Sequence, residues 1–266
     1  MSIITVSRDS YSHGAEIAKK VAQELGYECI GSDSVVQSVQ DKLNEPFGLL
    51  KSSIEVNKTI SAVASRKDMA YYRSAFYDTM LSDNVVYHGL AGHLFLSEIP
   101  NVIKVRLVAD MEDRVSEMVR RIKISPEEAQ RRIRIEDAKR HELDSSLGTA
   151  TDENSSFDMS VNLHNMDVDR AAQIIVDAAR ILKTESAESM QSVLSDLALA
   201  SHIEIALLDK FSDVRANVRD GRAYIQVEAS IVQEEAAARM AMRILADIEG
   251  IQEAHVGVMA SSFVPF

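Results

Sequence analysis

The stretch that decides the fold reads IITVSRDSYSHGAEIAKKVAQELG and covers residues 3–26. It begins with four β-branched residues, Ile3-Ile4-Thr5-Val6, which favour a strand. A polar segment follows at residues 7–14, and apolar residues then recur at helical spacing as far as Gly26, a residue that commonly ends helices. A strand, a loop and a helix in this order predict the opening of a parallel βαβ unit.

The same alternation continues along the first part of the chain. Short apolar runs predict strands at residues 27–30, 84–88, 101–109 and 157–163. The segments between them have helical spacing, and the one at residues 34–82 is interrupted near Pro46. Strands that alternate with helices predict an α/β domain at residues 1–183, in which a parallel sheet lies between two helix layers.

A polar break at residues 183–188 is a candidate linker to a second domain, residues 187–266. In that domain a helical segment precedes two β-prone runs, and a second helix and a last strand follow them. The two runs are joined by Asp220-Gly221, a strong hairpin signal. The order predicts a small α+β domain of the αββαβ type.

The composition limits the function. The chain has 29 basic and 41 acidic side chains, a formal net charge of −12. Broad binding of nucleic acid or of anionic lipid needs a positive surface, so we expect neither nucleic acid nor a membrane as a partner. The single cysteine, Cys29, cannot form an intramolecular disulfide and fits a buried position. With no secretory signal region and no apolar stretch of about 20 residues, we expect a cytoplasmic protein.

Several segments of residues 1–183 together resemble the cytidylate-kinase-like branch of the P-loop nucleoside monophosphate kinases. They are Ile4-Thr5-Val6-Ser7-Arg8, Gly14 with Glu16-Ile17-Ala18, Leu25-Gly26-Tyr27, Ser125-Pro126-Glu127-Glu128-Ala129, Asp137 with Arg140, and Phe157-Asp158. The resemblance covers about two thirds of the chain. It implies a P-loop kinase-like fold, a nucleotide or other small phosphorylated ligand, and ATP with Mg²⁺ as cofactors if the protein is active.

The phosphate loop departs from the family pattern. Where the family has Gly-Ser-Gly-Gly-Arg, this chain has Tyr11-Ser12-His13-Gly14-Ala15. Ala15 replaces the basic residue that would meet phosphate charge, and Glu16 stands where the wider superfamily has a metal-binding hydroxyl. The residues at which the resemblance still implies cofactor binding are Arg8, Ser12, His13 and Gly14. A solvated Arg8 and an ordinary surface histidine at position 13 are the alternatives.

On the acceptor side the resemblance implies a substrate site made of Asp33, Arg73 and His88. Asp33 follows the second predicted strand and equally fits a helix-capping role in a loop. Arg73 fits a surface position just as well. At His88 the family arginine is missing, and with it a bidentate phosphate donor.

The basic segment at residues 131–140 corresponds to the lid of these kinases, whose arginines close over the transferring phosphoryl group. The candidate catalytic residues are therefore Arg131, Arg140 and Asp137. Asp137 has the i,i+3 spacing that would let it orient Arg140. The alternative is a solvated helix whose ion pairs have little energetic consequence.

The second domain resembles a BON-type module. The segments that carry this resemblance are Ile203-Glu204-Ile205-Ala206-Leu207-Leu208, Asp220-Gly221-Arg222-Ala223-Tyr224-Ile225, and Ile248-Glu249-Gly250-Ile251-Gln252-Glu253-Ala254. Such modules bind or assemble, which implies a protein partner or a homo-oligomer.

Three functions remain open from the sequence. The first is a nucleoside monophosphate kinase with an unusual phosphate loop. The second is a nucleotide or small-ligand sensor that has lost catalysis, with the C-terminal module serving regulation. The third is an assembly protein that binds no nucleotide. Because the phosphate loop is altered, the sequence does not decide whether the chain is an enzyme.

Overall fold

The computed structural model describes residues 3–43, 66–82, 84–97, 99, 101–147, 156–181, 187–230 and 233–260. The predicted helical break near Pro46 and most of the predicted linker at 183–188 lie outside these residues. The chain divides into two compact units: residues 1–64 with 82–190, and residues 65–81 with 191–266. Residues 65–81, which the sequence analysis assigned to the first domain, therefore group with the second unit.

The helices and strands follow one another in an order close to the predicted one. In chain order they are β1 (Ile3–Arg8), α1 (Gly14–Leu25), β2 (Glu28–Gly31), α2 (Ser32–Leu43), α3 (Arg66–Met80), β3 (Val85–His88), α4 (Gly92–Phe95), β4 (Val102–Val108), α5 (Met111–Ile122), α6 (Pro126–Ser146), β5 (Met159–Asn162), α7 (Val168–Ile181), α8 (Ala187–Leu208), β6 (Val214–Arg219), β7 (Arg222–Ala229), α9 (Glu234–Leu245) and β8 (Glu253–Ala260).

The first unit is built on a five-stranded sheet in the order β2-β3-β1-β4-β5. Every neighbouring pair of strands in it is parallel. Helices α1 and α7 pack on this sheet through one apolar core, to which Ile4, Ile17 and Ile175 contribute. The predicted α/β class with a parallel sheet is confirmed. β1 is its central strand, so the loop after β1 starts in the middle of the sheet.

The sequence indicates the start of one helix correctly and misplaces another. Ser125-Pro126 is a typical helix start, and Ser125 caps α6, because its hydroxyl accepts a hydrogen bond from the backbone N–H of Glu128 at 3.2 Å and Pro126 is the first helical residue. Helix α2, in contrast, already begins at Ser32. Asp33 therefore lies in the first turn of a helix, where its charge is favourable, and not in a loop.

The second unit contains a three-stranded sheet in the order β6-β7-β8. β6 and β7 are antiparallel and joined at Asp220 and Gly221, whose φ angles of 50° and 73° suit a tight hairpin, as predicted. β8 runs parallel to β7. One face of the sheet is covered by a core that includes Ile203, Ile225 and Leu245. Within the described residues, no helix is both long and apolar enough to cross a membrane.

Candidate functional site

A cavity of about 300 Å³ opens in the first unit beside the carboxyl end of β1. Its charged and aromatic lining comes from residues far apart in the sequence. The cationic side chains are Arg8, Arg106, Arg114 and Arg140, the acidic ones are Asp9, Asp137 and Asp144, and His93, His141 and Phe157 complete this set. An arginine-rich cavity at this edge of a parallel sheet suits an anionic ligand.

One arginine of this cavity holds the phosphate loop in place. Arg114 is only 5% exposed, and its Nε donates to the backbone carbonyl of Ser10 at 2.7 Å. Its Nη2 donates to both carboxylate oxygens of Asp137, at 2.8 and 2.6 Å. The backbone N–H of Ser10 lies 3.4 Å from the same carboxylate. Asp137 on α6 is thus bound to α5 and to the loop, and its partner is Arg114 where the sequence suggested Arg140.

The loop keeps a glycine-like backbone although most of its glycines are gone. Tyr11 and His13, which stand where the family has glycine, have φ angles of 63° and 57°. L-residues adopt this left-handed region at a cost of about 1–2 kcal/mol each. Ser12 is buried between them and donates its hydroxyl hydrogen bond to the carbonyl of Asp9 at 2.8 Å. The loop therefore has backbone angles that suit glycine at two positions that carry side chains.

Gly14 is the one residue of this loop segment that is still a glycine, and it begins α1. A Cβ at this position would overlap the Cδ of Arg8, so the arginine stem lies directly on the glycine. The side chain of Glu16 is 3.2 Å from Nδ1 of His13. Ser12 and Glu16 are therefore engaged within the loop, and the described residues place no serine or threonine hydroxyl at the start of α1 for a metal ion.

Arg8 and Arg140 each have a buried guanidinium nitrogen that the described residues do not pair. The Nε atoms of both side chains are buried and have no hydrogen-bond partner among the described residues. Burial, reinforced by the nearby Arg140 and Arg121, lowers the pKa of Arg8 to about 10. A buried donor without a partner costs about 1–3 kcal/mol. An anion in the cavity would remove this cost for both side chains.

Two of the predicted substrate residues lie near Arg8. His88 ends β3, and its imidazole lies against Gly31, where a Cβ would come within 3.0 Å of its Cε1. Burial, together with the charge of Arg8, lowers the pKa of His88, so the neutral imidazole is favoured. The carboxylate of Asp33 acts in the opposite direction on the pKa of both Arg8 and His88.

The structure places two other predicted residues elsewhere. Arg131 is exposed on α6 and forms a 2.7 Å ion pair with Glu128 of the same helix. Arg73 on α3 donates to Glu204 of α8 in the second unit. Neither residue lines the cavity. The alternative of a charged helix with its own ion pairs describes Arg131, whereas Arg73, for which a surface position was the alternative, is 35% exposed and paired with Glu204.

Arg106, Arg114 and His93 are among the lining residues that the sequence analysis did not propose, and two of them carry a signal. Arg106 is, with Lys104, one of two cations in the otherwise apolar strand β4. Arg114 lies in the amino-terminal half of α5, where the helix dipole disfavours a cation. His93 stacks on Phe157 with ring centroids 4.6 Å apart, and only the tertiary structure brings these two residues together.

Acidic side chains that could hold a cation occur at two places in the first unit. Asp9 lines the cavity, and burial raises the pKa of its carboxyl. Elsewhere Asp110, Asp113 and His164 have ligand atoms within 4.8 Å of one another, but all three residues are exposed. His164 and Asp110 already form an ion pair of 2.5 Å.

Together, the parallel sheet, the loop after its central strand and the arginine-lined cavity define a nucleotide-binding, kinase-like fold. A profile of the cytidylate kinase-like family matches residues 3–165. That match spans more than half of the chain, which therefore belongs to the cytidylate kinase-like family.

The chain is similar to several solved structures at low sequence identity. An uncharacterized protein from Eubacterium ventriosum is 16% identical with a TM-score of 0.53, and the alignment covers 68% of this chain and 98% of that one. A gluconokinase from Sinorhizobium meliloti is 13% identical with a TM-score of 0.47, over 68% and 94% of the two chains. A shikimate kinase from Bacteroides thetaiotaomicron is 12% identical with a TM-score of 0.46, over 67% and 98%. No curated protein matches the sequence.

Proposed function

We propose that the first unit binds a nucleotide and that Arg8 and Arg140 contact its phosphates. The observation that carries this proposal is the pair of buried Nε atoms without partners on two arginines that line one cavity. Guanidinium groups bind phosphate oxygens through charge-assisted hydrogen bonds, which are about twice as strong as neutral ones. A phosphate would supply the missing acceptors at both Nε atoms.

The absence of a basic residue at position 15 fits this proposal. In the family the loop itself provides a basic residue, and this chain has Ala15 in its place. Arg8 lies across Gly14 and so brings a guanidinium to the same loop from the end of β1. In our proposal, Arg8 replaces the missing loop cation.

Phosphoryl transfer from ATP to a nucleoside monophosphate is the second candidate function. The convergence of Arg8, Arg106 and Arg140 favours it, because such transfer depends mainly on positioning and on neutralising phosphate charge. Mg²⁺ would have to reach the site with the nucleotide and bind Asp9, since Ser12 and Glu16 are engaged within the loop. Bound Mg²⁺ would neutralise phosphate charge. We expect turnover to be slow, because no described serine or threonine hydroxyl lies at the start of α1 to hold the metal.

A calorimetric titration tests the proposal. ATP, ADP, AMP and CMP are titrated into the full chain with and without Mg²⁺, and each pair that binds is then tested in a coupled kinase assay. Saturable binding of at least one nucleotide that Arg8→Ala weakens supports the proposal, and turnover would add the second candidate. If no nucleotide binds at millimolar concentration, the proposed function is wrong and an assembly role on this fold takes its place.

The second unit is proposed to be a binding module of the BON type. The observed order of α8, β6, β7, α9 and β8 supports it, because it is the predicted αββαβ order. A protein partner or a second copy of the chain remains the proposed partner of this unit, and size measurement in solution tests the second of these.

A further inference from the structure

The outer face of the β6-β7-β8 sheet is exposed among the described residues and carries an aromatic pair. Along β7 the residues alternate, so Ala223, Ile225 and Val227 enter the core while Tyr224 and Gln226 point away from it. Tyr224 pairs in register with His255 of β8, and their rings stack with centroids 5.1 Å apart and planes 16° apart. Tyr224 is nevertheless 50% exposed. The stacked pair thus forms a flat aromatic platform whose outer surface faces solvent.

Polar groups accompany this platform in two cross-strand rows. The aromatic row continues to Asn217 on β6. The next row contains Arg215, Gln226 and Gly257, and the glycine leaves the place beside His255 without a side chain. All these residues line one concavity of about 440 Å³. Its size is within the range of small-ligand sites, which is about 300–1,000 Å³.

Arg215, the arginine that lines this concavity, has no ion pair shorter than 3.8 Å among the described residues. Arg215 is 70% exposed and lies 3.8 Å from Asp213, whereas Asp213 has a closer partner in Arg66 at 2.8 Å. On the other side of the platform, Arg222 lies 3.8 Å from Glu253, which also contacts His255 at 3.1 Å. Arg215 can therefore turn toward a ligand anion without breaking a short ion pair.

We propose that this face binds a nucleoside monophosphate, with its base on the Tyr224–His255 platform and its phosphate on Arg215. Aromatic side chains accept bases by stacking, and a guanidinium binds phosphate in a bidentate manner. The amides of Asn217 and Gln226 flank the platform, and they offer both donors and acceptors to the edge of a base. This site lies wholly within the second unit and does not depend on the cavity in the first.

A single nucleotide fits the observations better than a nucleic acid strand. The platform offers one stacking position and the concavity has the size of one small ligand. The chain has a net charge of −12, which opposes the approach of a polyanion. Arg219 and Arg222 form a cross-strand pair on the far side of the platform, and Glu253 lies 3.8 Å from Arg222.

The experiment uses the absence of tryptophan from the natural chain. The variant Tyr224→Trp carries one fluorophore at the platform, and Met240→Trp, on the exposed side of α9, is the matched control. AMP, CMP, adenosine and inorganic phosphate are titrated into the full-length variants. We expect saturable quenching of Tyr224→Trp by AMP or CMP with a Kd at or below about 1 mM, and no saturable change in Met240→Trp.

Further variants separate this site from the first one. Adding Arg215→Ala to Tyr224→Trp should weaken AMP binding about tenfold, the loss expected for one charge-assisted contact, and should leave adenosine unchanged. Adding Arg8→Ala should leave the quenching by AMP intact. Calorimetry of AMP binding to Arg8→Ala, with and without His255→Ala, provides a readout that needs no tryptophan.

Three results would overturn the inference. The first is the absence of quenching at several millimolar AMP and CMP together with no effect of His255→Ala in calorimetry. The second is loss of the quenching in Arg8→Ala, which would assign the signal to the first unit. The third is binding of a short single-stranded oligonucleotide about a hundredfold more tightly than AMP, which would make the face a nucleic acid site.

Discussion

The guanidinium of Arg114 and the carboxylate of Asp137 form a two-bond contact, with Nη2 2.8 and 2.6 Å from the two oxygens. The two residues are 23 positions apart and belong to α5 and α6. Through Ser10 the contact extends to the phosphate loop, because Arg114 donates to its carbonyl at 2.7 Å. The helix that corresponds to the lid is therefore attached to the loop by its own side chains.

Asp137→Asn should destabilise the first unit markedly. The change leaves the buried guanidinium of Arg114 without its countercharge. Breaking a buried pair costs about 3–5 kcal/mol, and we expect about 2 kcal/mol here because Asp137 is 32% exposed. Urea unfolding measures the change in free energy.

The matched control is Asp177→Asn on α7. Asp177 pairs with Arg180 at 3.6 Å, and both side chains are more than half exposed. An exposed pair contributes about 0–1 kcal/mol, so this variant should unfold close to the natural protein. Equal effects of the two substitutions would show that the Arg114–Asp137 contact has no special role.

His13→Gly should stabilise the protein, by about 0.5–1 kcal/mol. The backbone of His13 has a φ of 57°, which glycine adopts without steric cost. Its side chain contributes an exposed contact with Glu16 that is worth little. Thermal unfolding, with circular dichroism as the readout, measures the shift.

Tyr11→Gly provides the contrast. Tyr11 has a similar φ of 63°, but its ring packs against the cluster of Met118 and Ile133. The gain from the relaxed backbone is therefore offset by the lost packing, and we expect no stabilisation. Stabilisation of the same size in both variants would mean that the ring contributes nothing.

The decrease in the free energy of unfolding at acidic pH should depend on Glu117. Hydrogen bonds from Arg120 and Arg121 lower the pKa of this carboxyl from its ordinary 4.5 to about 2. A folded pKa below the unfolded one gives stability that is complete above pH 4.5 and is lost as the pH falls towards 2. Glu117→Gln should lose this contribution at neutral pH and fall less steeply in acid. Unfolding midpoints from pH 6 to pH 3 test this, and parallel curves for the two proteins would contradict it.

Ala15→Arg should strengthen nucleotide binding several-fold. Position 15 is exposed in the first turn of α1, so the side chain fits, and it restores the loop cation of the family. A cation near the positive helix end should also lower stability by about 0.3–1 kcal/mol. Ala15→Gln, of similar length and without charge, is the control. Equal affinity of the two variants for ADP would contradict a phosphate position next to the loop.

Local patterns predicted most of the fold. The β-branched start of β1, the Ser125-Pro126 start of α6 and the Asp220-Gly221 hairpin all depend on residues close together in the chain. The start of α2 was misplaced because Ser32 and Asp33 suit a cap and a first turn equally well.

The site was less predictable because its contacts are distant in the sequence. Arg8 and Arg140 were proposed from the sequence, and the structure brings them to one cavity. Arg73 and Glu204 are 131 residues apart, and no local pattern indicates that they pair. The partner of Asp137 was misjudged for the same reason, since helical spacing favoured Arg140 and the tertiary fold provides Arg114.

The most direct test of the proposed nucleotide site compares three variants in one calorimetric titration with the best-binding nucleotide. Arg8→Ala and Arg140→Ala should each weaken binding by about tenfold or more, because each removes a charge-assisted contact with phosphate. Arg134→Ala, an exposed arginine of the same helix as Arg140, should bind like the natural protein. If both cavity variants keep full affinity, or if Arg134→Ala loses as much as they do, the phosphates do not bind at Arg8 and Arg140.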